Sequence, residues 1–459
     1  MLTALGLAAA GAPAHAQLPD PWSGSAVADT VLRAEVRYRL LAPTADEADL
    51  AAFYAARGHA PLWVDGGLKP EAQALLERVR DAAADGLDPE RYRPDELAAA
   101  LDAAAGGDSA RLAQAELLLS RTLAAYVVDL RQGRGDAKPA FVDPQAAAPP
   151  LTARAVLDQA AKGEAPDLAA LTRMNPIYDG FRRALAAHRA RAAAGDADPA
   201  EEGLILANLE RARPLPAEFG DRFILVDTAA RQLWLYEDGE LRTAMRVAVG
   251  KPSQPTPLMT GLIRHAIFNP YWNVPADLVR TTVAQNVLDQ GLGYLETEGM
   301  AVFAGYEDDA PELDPTTLDW QAIHRGDLEV RVRQRPGPRN MMGKVKLMLP
   351  NPLGIYLHDT PNKAVFGEEA RYVSSGCVRL EDALALATQL LGDTALEKAA
   401  GEEIEQRVEL EKPVPVYITY FTAMPSGGGL ALREDIYGRD APLLAQLQGG
   451  GSALAQAGR

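Results

Sequence analysis

The stretch IYLHDTPNKAVFGEEARYVSSGCVRLEDALALATQLL, residues 355–391, holds the chemically loaded part of this chain. Ile355, Tyr356 and Leu357 read as a strand end that delivers His358 to a loop. Cys377 follows nineteen residues later, in Ser374-Ser375-Gly376-Cys377. Gly376 leaves the space beside the sulfur free of a side chain, so a peptide backbone can approach. Downstream, Ala383, Leu386, Ala387, Leu390 and Leu391 recur at helical spacing, with Glu381 and Asp382 expected in the first turn. A cysteine a few residues ahead of a helix start is expected to feel the positive end of the dipole, which favours thiolate.

Thiolate is the reactive form of cysteine, and an imidazole within reach can make it by taking the proton. Such a pair also needs backbone N–H groups aimed at the developing oxyanion, and Gly376 and Cys377 are the natural donors. Cys377 is the only cysteine in 459 residues, so no internal disulfide is possible. A lone thiol also suits a small buried hydrophobe, and the residues by themselves leave both readings open.

Outward from this stretch, the chain has β texture on both sides. FILV (223–226), QLWLY (232–236) and MRVAVG (245–250) read as a meander, while Val414, Val416, Ile418 and Tyr420 alternate as a half-buried strand. Pro415 would put that strand at an edge or a bulge. Residues 276–335, acidic and spaced by Gly291, Gly293, Gly299 and Gly305, are too long for a plain loop and read as a small subdomain able to cover a site. From about residue 28 to 190 the chain reads as helices. One opens at Pro70 and is closed by Gly86; another, 109–131, carries Leu112, Leu119, Leu123, Tyr126, Val127 and Leu130 on one stripe. RARAAAGDADPAEEG, 189–203, is expected to be a fraying helix end and a linker. Residues 427–459 contain GGG twice and read as partly disordered, with a short docked helix within 432–447.

Composition narrows the function. A formal net charge of −17 without a Lys/Arg-rich run excludes a nucleic-acid binder. At 47% apolar and 24% charged residues the chain has the proportions of a globular protein. No apolar run of membrane-spanning length follows the N-terminus. The six histidines are scattered and one cysteine cannot cluster, so neither a metal nor another cofactor is expected, and no phosphate-binding glycine loop occurs. Residues 2–16 are apolar and small and end in Ala14-His15-Ala16, a signal-peptidase pattern, although the basic n-region is missing; export is expected.

His358 with Ser374-Ser375-Gly376-Cys377-Val378-Arg379 resembles the catalytic segment of L,D-transpeptidases with a YkuD-type domain. The large Gram-negative branch, similar to the YcbB proteins, is matched more fully: Asn269-Pro270-Tyr271-Trp272-Asn273-Val274-Pro275, Arg333-Gln334-Arg335-Pro336-Gly337-Pro338 and Tyr356-Leu357-His358-Asp359-Thr360-Pro361 occur in order across about residues 205–424. Gly86-Leu87-Asp88-Pro89 resembles part of that branch's scaffold domain. The gap at 189–203 is too short for the peptidoglycan-binding domain that larger members carry.

The resemblance implies an α+β chain: a signal peptide at 1–16, a helical scaffold domain at 17–204, a β-rich catalytic domain at 205–424 with a lid insertion at 276–335, and a tail at 425–459. It implies a periplasmic enzyme that takes peptidoglycan stem peptides as acyl donor and acceptor, needs no cofactor, and is inhibited by carbapenem β-lactams. Cys377 would form the thioester and His358 would shuttle protons; a backbone carbonyl often orients the imidazole in the family, and no group in this sequence is assigned that role. Ser374 is expected to hydrogen-bond the turn. Ser375 stands where many members have a second His. Tyr356 shares a strand face with His358 and is expected either to touch substrate or to pack. Arg379 would receive a stem carboxylate or pair with Glu381. Trp272 and Asn273, just before the insertion, are candidates to line the cleft, with Trp272 better suited to a core. Passing the acyl group to water instead, as an L,D-carboxypeptidase or endopeptidase, stays open, as does a non-catalytic wall scaffold.

Overall fold

The computed structural model describes residues 24–133, 137–145, 151–307, 309–401, 403–426 and 429–447. The expected export segment 1–16 and the second GGG lie outside these residues. The chain divides into two compact units: residues up to 83, 87–128 and 151–172 form one, and residues 84–86, 129–150 and 173–459 the other.

The first unit is helical, with α1 (Gly24–Arg39), α2 (Ala48–Ala56), α3 (Pro70–Arg80), α4 (Pro94–Ala104), most of α5 (Ser109–Arg131) and α6 (Ala153–Ala160). Proline at the first position opens α3 and α4, where its missing N–H costs nothing. The stripe Leu112, Leu119, Leu123, Tyr126 and Val127 of α5 is buried, as its spacing requires. A buried carboxylate is among the polar groups of this core. Glu116 accepts the N–H groups of Leu62 and Trp63 and the hydroxyl of Tyr54, and burial holds its carboxyl above the usual range.

The second unit begins with α7 (Pro176–Ala193) and α8 (Pro199–Ala212). The expected linker is therefore mostly helix: only Ala194–Asp198 connects the two, Asp198 caps α8, and Arg189–Glu202 and Arg191–Glu201 ion pairs close the hairpin. Arg189 and Arg191 find their partners only once the two helices fold back on each other. Asn208 of α8 donates to the Thr422 hydroxyl (3.0 Å) and accepts the Thr422 N–H (2.9 Å), and this ties the hairpin to the β-rich part.

Eight strands then close a ring: β1 (Arg222–Asp227), β2 (Gln232–Glu237), β3 (Glu240–Gly250), β4 (Met259–Phe268), β5 (Val345–Met348), β6 (Leu357–His358), β7 (Val378–Leu380) and β8 (Gln406–Thr419). The order around it is β4-β8-β1-β2-β3-β7-β6-β5, with β5 pairing back to β4. Strand β8 is interior, pairing β4 antiparallel and β1 parallel. Pro415 lies between a register shift after Glu409 and the start of the β1 ladder at Val416, so its missing N–H falls beside a bulge. Val226, Leu233, Val247, Ile263, Leu347, Leu357, Val378 and Val416 fill the core, together with Leu386, Ala387 and Leu390 of α9 (Ala383–Leu391) and Ala395 of α10 (Thr394–Ala400). Each Leu or Val so buried contributes about 1.5–3 kcal/mol.

The insertion between β4 and β5 has its own core, including Val279, Val283, Leu295, Val302, Trp320, Ile323 and Val332. It also has its own three-stranded sheet, Trp272–Asn273, Arg331–Gln334 and Met300–Phe303. After β8 a hairpin, Ala423–Ser426 with Gly429–Leu432, leads to a helix starting at Asp440, and Leu443 of that helix packs with Ala207 and Ala137. The last segment is thus anchored along 429–447. Among the described residues no helix is long and apolar enough to cross a membrane.

Candidate active site

Strands β6 and β7 run parallel with Leu357 opposite Val378 and His358 opposite Arg379. Leu357 and Val378 are fully buried in the ring's core. Because side chains alternate along a strand, Tyr356, His358, Cys377 and Arg379 occupy the other face. The Val378 N–H bonds to the Tyr356 carbonyl (2.9 Å), which continues the ladder to Cys377 and makes the cysteine and His358 diagonal neighbours.

His358 is 2% exposed. Its Nδ1 lies 2.5 Å from the carbonyl oxygen of Asp359, so Nδ1–H donates there and Nε2 keeps the free lone pair. The neighbouring peptide bond therefore fills the orienting role that no carboxylate in the sequence claimed. The Asp359 carboxylate points away and accepts from the Lys344 N–H and the Lys363 ammonium. Burial, helped by the Arg379 charge, drives the imidazole down to about 3 against the partial support of the Asp359 carbonyl.

Cys377 is half-buried. Its thiol donates to the Gly354 carbonyl (3.5 Å) and the Tyr356 N–H is aimed at the sulfur. Burial pushes the thiol above its ordinary value, opposed by that N–H and by the charges of Lys346 and Arg379. The expected depression by a helix dipole is absent for a structural reason: β7 intervenes, and α9 starts at Ala383 with Asp382 as its cap. Resting thiol and imidazole are both neutral.

The turn before the sulfur is held by its own residues. Gly376 has φ +110°, open to glycine and strained for any other residue. Ser374 accepts the Gly376 N–H (3.2 Å) and donates to the Cys377 carbonyl (2.6 Å). The Gly376 N–H, one of the two expected oxyanion donors, is thus already engaged. The Cys377 N–H donates to no group among the described residues. Ser375 is exposed on the turn.

Arg379 makes no pair with Glu381, which is taken by Arg246. Its Nε is buried without a hydrogen-bond partner among the described residues. Trp272 and Asn273 belong to the insertion's sheet. Trp272 packs against the insertion's core and pairs with Gln334, and the Asn273 side chain accepts from Arg331 (2.9 Å).

One residue of the site escaped the sequence reading. Lys346 of β5 lies opposite His358, and its ammonium sits 3.7 Å over the Tyr356 ring. Burial pulls it below the usual ammonium range, while Cys377 and Glu405 pull it back. A lysine inside the alternation Val345-Lys346-Leu347-Met348 was the available signal. A cavity of about 450 Å³ lies nearby, lined by Arg246, Lys344, Asp359, Lys363, Glu381 and Asp382. Arg246 pairs there with Glu381 and Lys363 with Asp359, and Cys377 does not line it.

Residues 221–418 match the family model of the L,D-transpeptidase catalytic domain, YkuD, and residues 48–185 match that of the Scaffold domain. A Haemophilus influenzae protein, named as a candidate L,D-transpeptidase, is 31% identical over 238 residues, which are 51% of this chain and 47% of that one. The match thus spans about half the length of this relative. Among solved structures, an L,D-transpeptidase from Mycobacterium smegmatis is similar at 14% identity over 43% of this chain and 58% of that chain, with a TM-score of 0.21. L,D-transpeptidase 3 from Mycobacterium tuberculosis, in complex with a faropenem-derived adduct, is similar at 14% identity over 43% and 60%, also with a TM-score of 0.21. Likeness at that level has no bearing on individual residues.

Proposed function

We propose, from the premise that this chain carries a YkuD L,D-transpeptidase catalytic domain and a scaffold domain, that it cross-links peptidoglycan stem peptides through a thioester on Cys377. The observation that supports this most is the β6–β7 register, with Cys377 and His358 as diagonal neighbours beside two cations and Tyr356.

The resting pair is neutral, so proton transfer accompanies attack. His358 Nε2 takes the thiol proton as sulfur bonds to the carbonyl carbon of an L-configured centre. The Cys377 N–H and the charges of Lys346 and Arg379 stabilise the oxyanion. The C–N bond then breaks and the departing amine leaves with the proton held by His358. In the second half, an acceptor amine gives a proton to His358 and attacks the thioester; a C–N bond forms, the C–S bond breaks, and the sulfur recovers the proton. Arg379, lacking an internal partner, would hold a stem carboxylate, and Tyr356 would pack on the peptide. The insertion would exclude water from the thioester. By the same chemistry a carbapenem carbonyl would acylate Cys377, its amine staying tethered after ring opening. The protein would work in the periplasm, where this substrate lies.

The test uses purified protein with a disaccharide-tetrapeptide. Intact mass spectrometry should show the acyl-enzyme and chromatography the cross-linked dimer, both lost in Cys377→Ala. Dimer formed by Cys377→Ala would overturn the assignment, and release of tripeptide alone would make the enzyme a carboxypeptidase.

A further inference from the structure

The nucleophile turn is gripped from behind by the segment that follows the ring. Thr256, on the loop between β3 and β4, is fully buried. Its hydroxyl donates to the carbonyl of Gly376 (2.8 Å), the residue before the sulfur, and accepts the N–H of Gly250 (2.9 Å). Tyr437 closes the loop on itself: its hydroxyl donates to the Gly250 carbonyl (2.8 Å) and accepts the Thr256 N–H (3.3 Å). Arg439 donates to the Thr256 carbonyl (3.2 Å) and lies 4.8 Å from the Tyr437 ring. Tyr437 is itself fixed by stacking on Tyr420 (5.2 Å), whose hydroxyl accepts the Tyr437 N–H (3.0 Å) and donates to Asp435 (2.6 Å).

The arrangement has a consequence for reactivity. A glycine at φ +110° has no side chain to define its own conformation, so the plane of the Gly376–Cys377 peptide is set by what holds its carbonyl. That plane also aims the Cys377 N–H, the donor left open for the oxyanion. The grip leaves no slack at Gly250, where a Cβ would meet the Gln254 carbonyl oxygen at 2.3 Å.

We propose that Thr256 and Tyr437 are positioning residues for the nucleophile, with Tyr437 acting through Thr256, so that the C-terminal segment is a working part of the site. This rests on Cys377 being the nucleophile. Neither residue touches substrate; they fix the peptide that carries the sulfur and its N–H.

The experiment measures acylation of the full chain by imipenem across a concentration series, followed by intact mass, in Tyr437→Phe, Thr256→Val, Thr256→Ser and the double variant Tyr437→Phe/Thr256→Val. The first-order acylation rate should fall at least about tenfold in the Phe and Val variants, with the half-saturating concentration unchanged. Thr256→Ser should recover most of the rate, and the double variant should be no slower than Thr256→Val. Wild-type rates in folded Tyr437→Phe would overturn the proposal, as would an effect confined to half-saturation or a multiplicative double variant. If Thr256→Val does not fold, Tyr437→Phe and Thr256→Ser still decide. If the unmodified chain takes no imipenem, the transpeptidase reading falls separately, and iodoacetamide alkylation of Cys377 in the same variants judges the grip: equal rates overturn it.

Discussion

Lys346 faces His358 across the antiparallel pair β5–β6, and its ammonium rests 3.7 Å above the ring of Tyr356. Among the described residues no carboxylate lies within ion-pair distance of it. A half-buried, unneutralised cation on a face that also holds a thiol and an imidazole bears on both: it disfavours imidazolium and favours thiolate.

Removing that charge should therefore be felt at the sulfur. In Lys346→Met the pH profile of Cys377 alkylation by iodoacetamide should move to higher pH and acylation at neutral pH should fall by about tenfold. Lys346→Arg should restore most of both. A profile that does not move would mean that the lysine merely packs on Tyr356.

The depressed imidazole makes a stability prediction with a definite sign. With a folded value of about 3 against an ordinary 6.5, the folded chain binds fewer protons than the unfolded one between those limits. Stability from keeping His358 neutral is complete above about pH 6.5 and is lost as pH falls toward 3, by about 1 kcal/mol per pH unit. Denaturant titrations at pH 6 and pH 4 should show a steeper loss in the wild type than in His358→Gln. Equal slopes would contradict the buried neutral imidazole.

Arg379 carries a buried Nε without a hydrogen-bond partner among the described residues. Arg379→Gln should raise KM for a carboxylate-bearing stem peptide by about ten- to a hundredfold, the range of a lost charge-assisted hydrogen bond, with a smaller effect on kcat. Were KM unchanged, the guanidinium would have no part in holding substrate.

Gly376 at φ +110° tolerates no side chain without strain, and an added Cβ would meet Ile355 Cδ1 at 3.0 Å. Gly376→Ala should cost about 1–3 kcal/mol of stability and slow acylation of the protein that still folds. Thermal melts and intact-mass kinetics check the two effects separately.

The insertion is removable in principle, because the Val274 N–H bonds to the Val332 carbonyl (2.9 Å) where the chain enters and leaves it. Replacing residues 275–331 by a short glycine turn should raise hydrolysis of the acyl-enzyme relative to transfer. An unchanged ratio of tripeptide to dimer would remove the water-excluding role.

Several features were legible because they are local. The alternation of β1, β2 and β8, the stripe on α5, the proline that opens α3, and the strand end that delivers His358 each need only neighbours in sequence. The dipole argument for Cys377 failed on the same scale. Three residues of strand between sulfur and helix are enough to separate them, and spacing by itself does not show that Val378–Leu380 pairs with β3 and β6. The charged stretch 189–203 misled for a related reason, since Arg189 and Arg191 acquire meaning only opposite Glu202 and Glu201.

From the residues alone came the identities that chemistry requires: one thiol, one imidazole on a strand end, a glycine beside the sulfur, and no metal-binding cluster to compete with them. Tertiary structure decided the environment that sets their reactivity. It supplied the Asp359 carbonyl on Nδ1, the burial that keeps thiol and imidazole both neutral, the lysine brought from β5, and the grip of Tyr437 and Thr256 on the turn. Protonation energies and peptide orientation depend on atoms within a few ångströms in space, and here those atoms come from segments up to 187 residues apart in the chain, as between Gly250 and Tyr437.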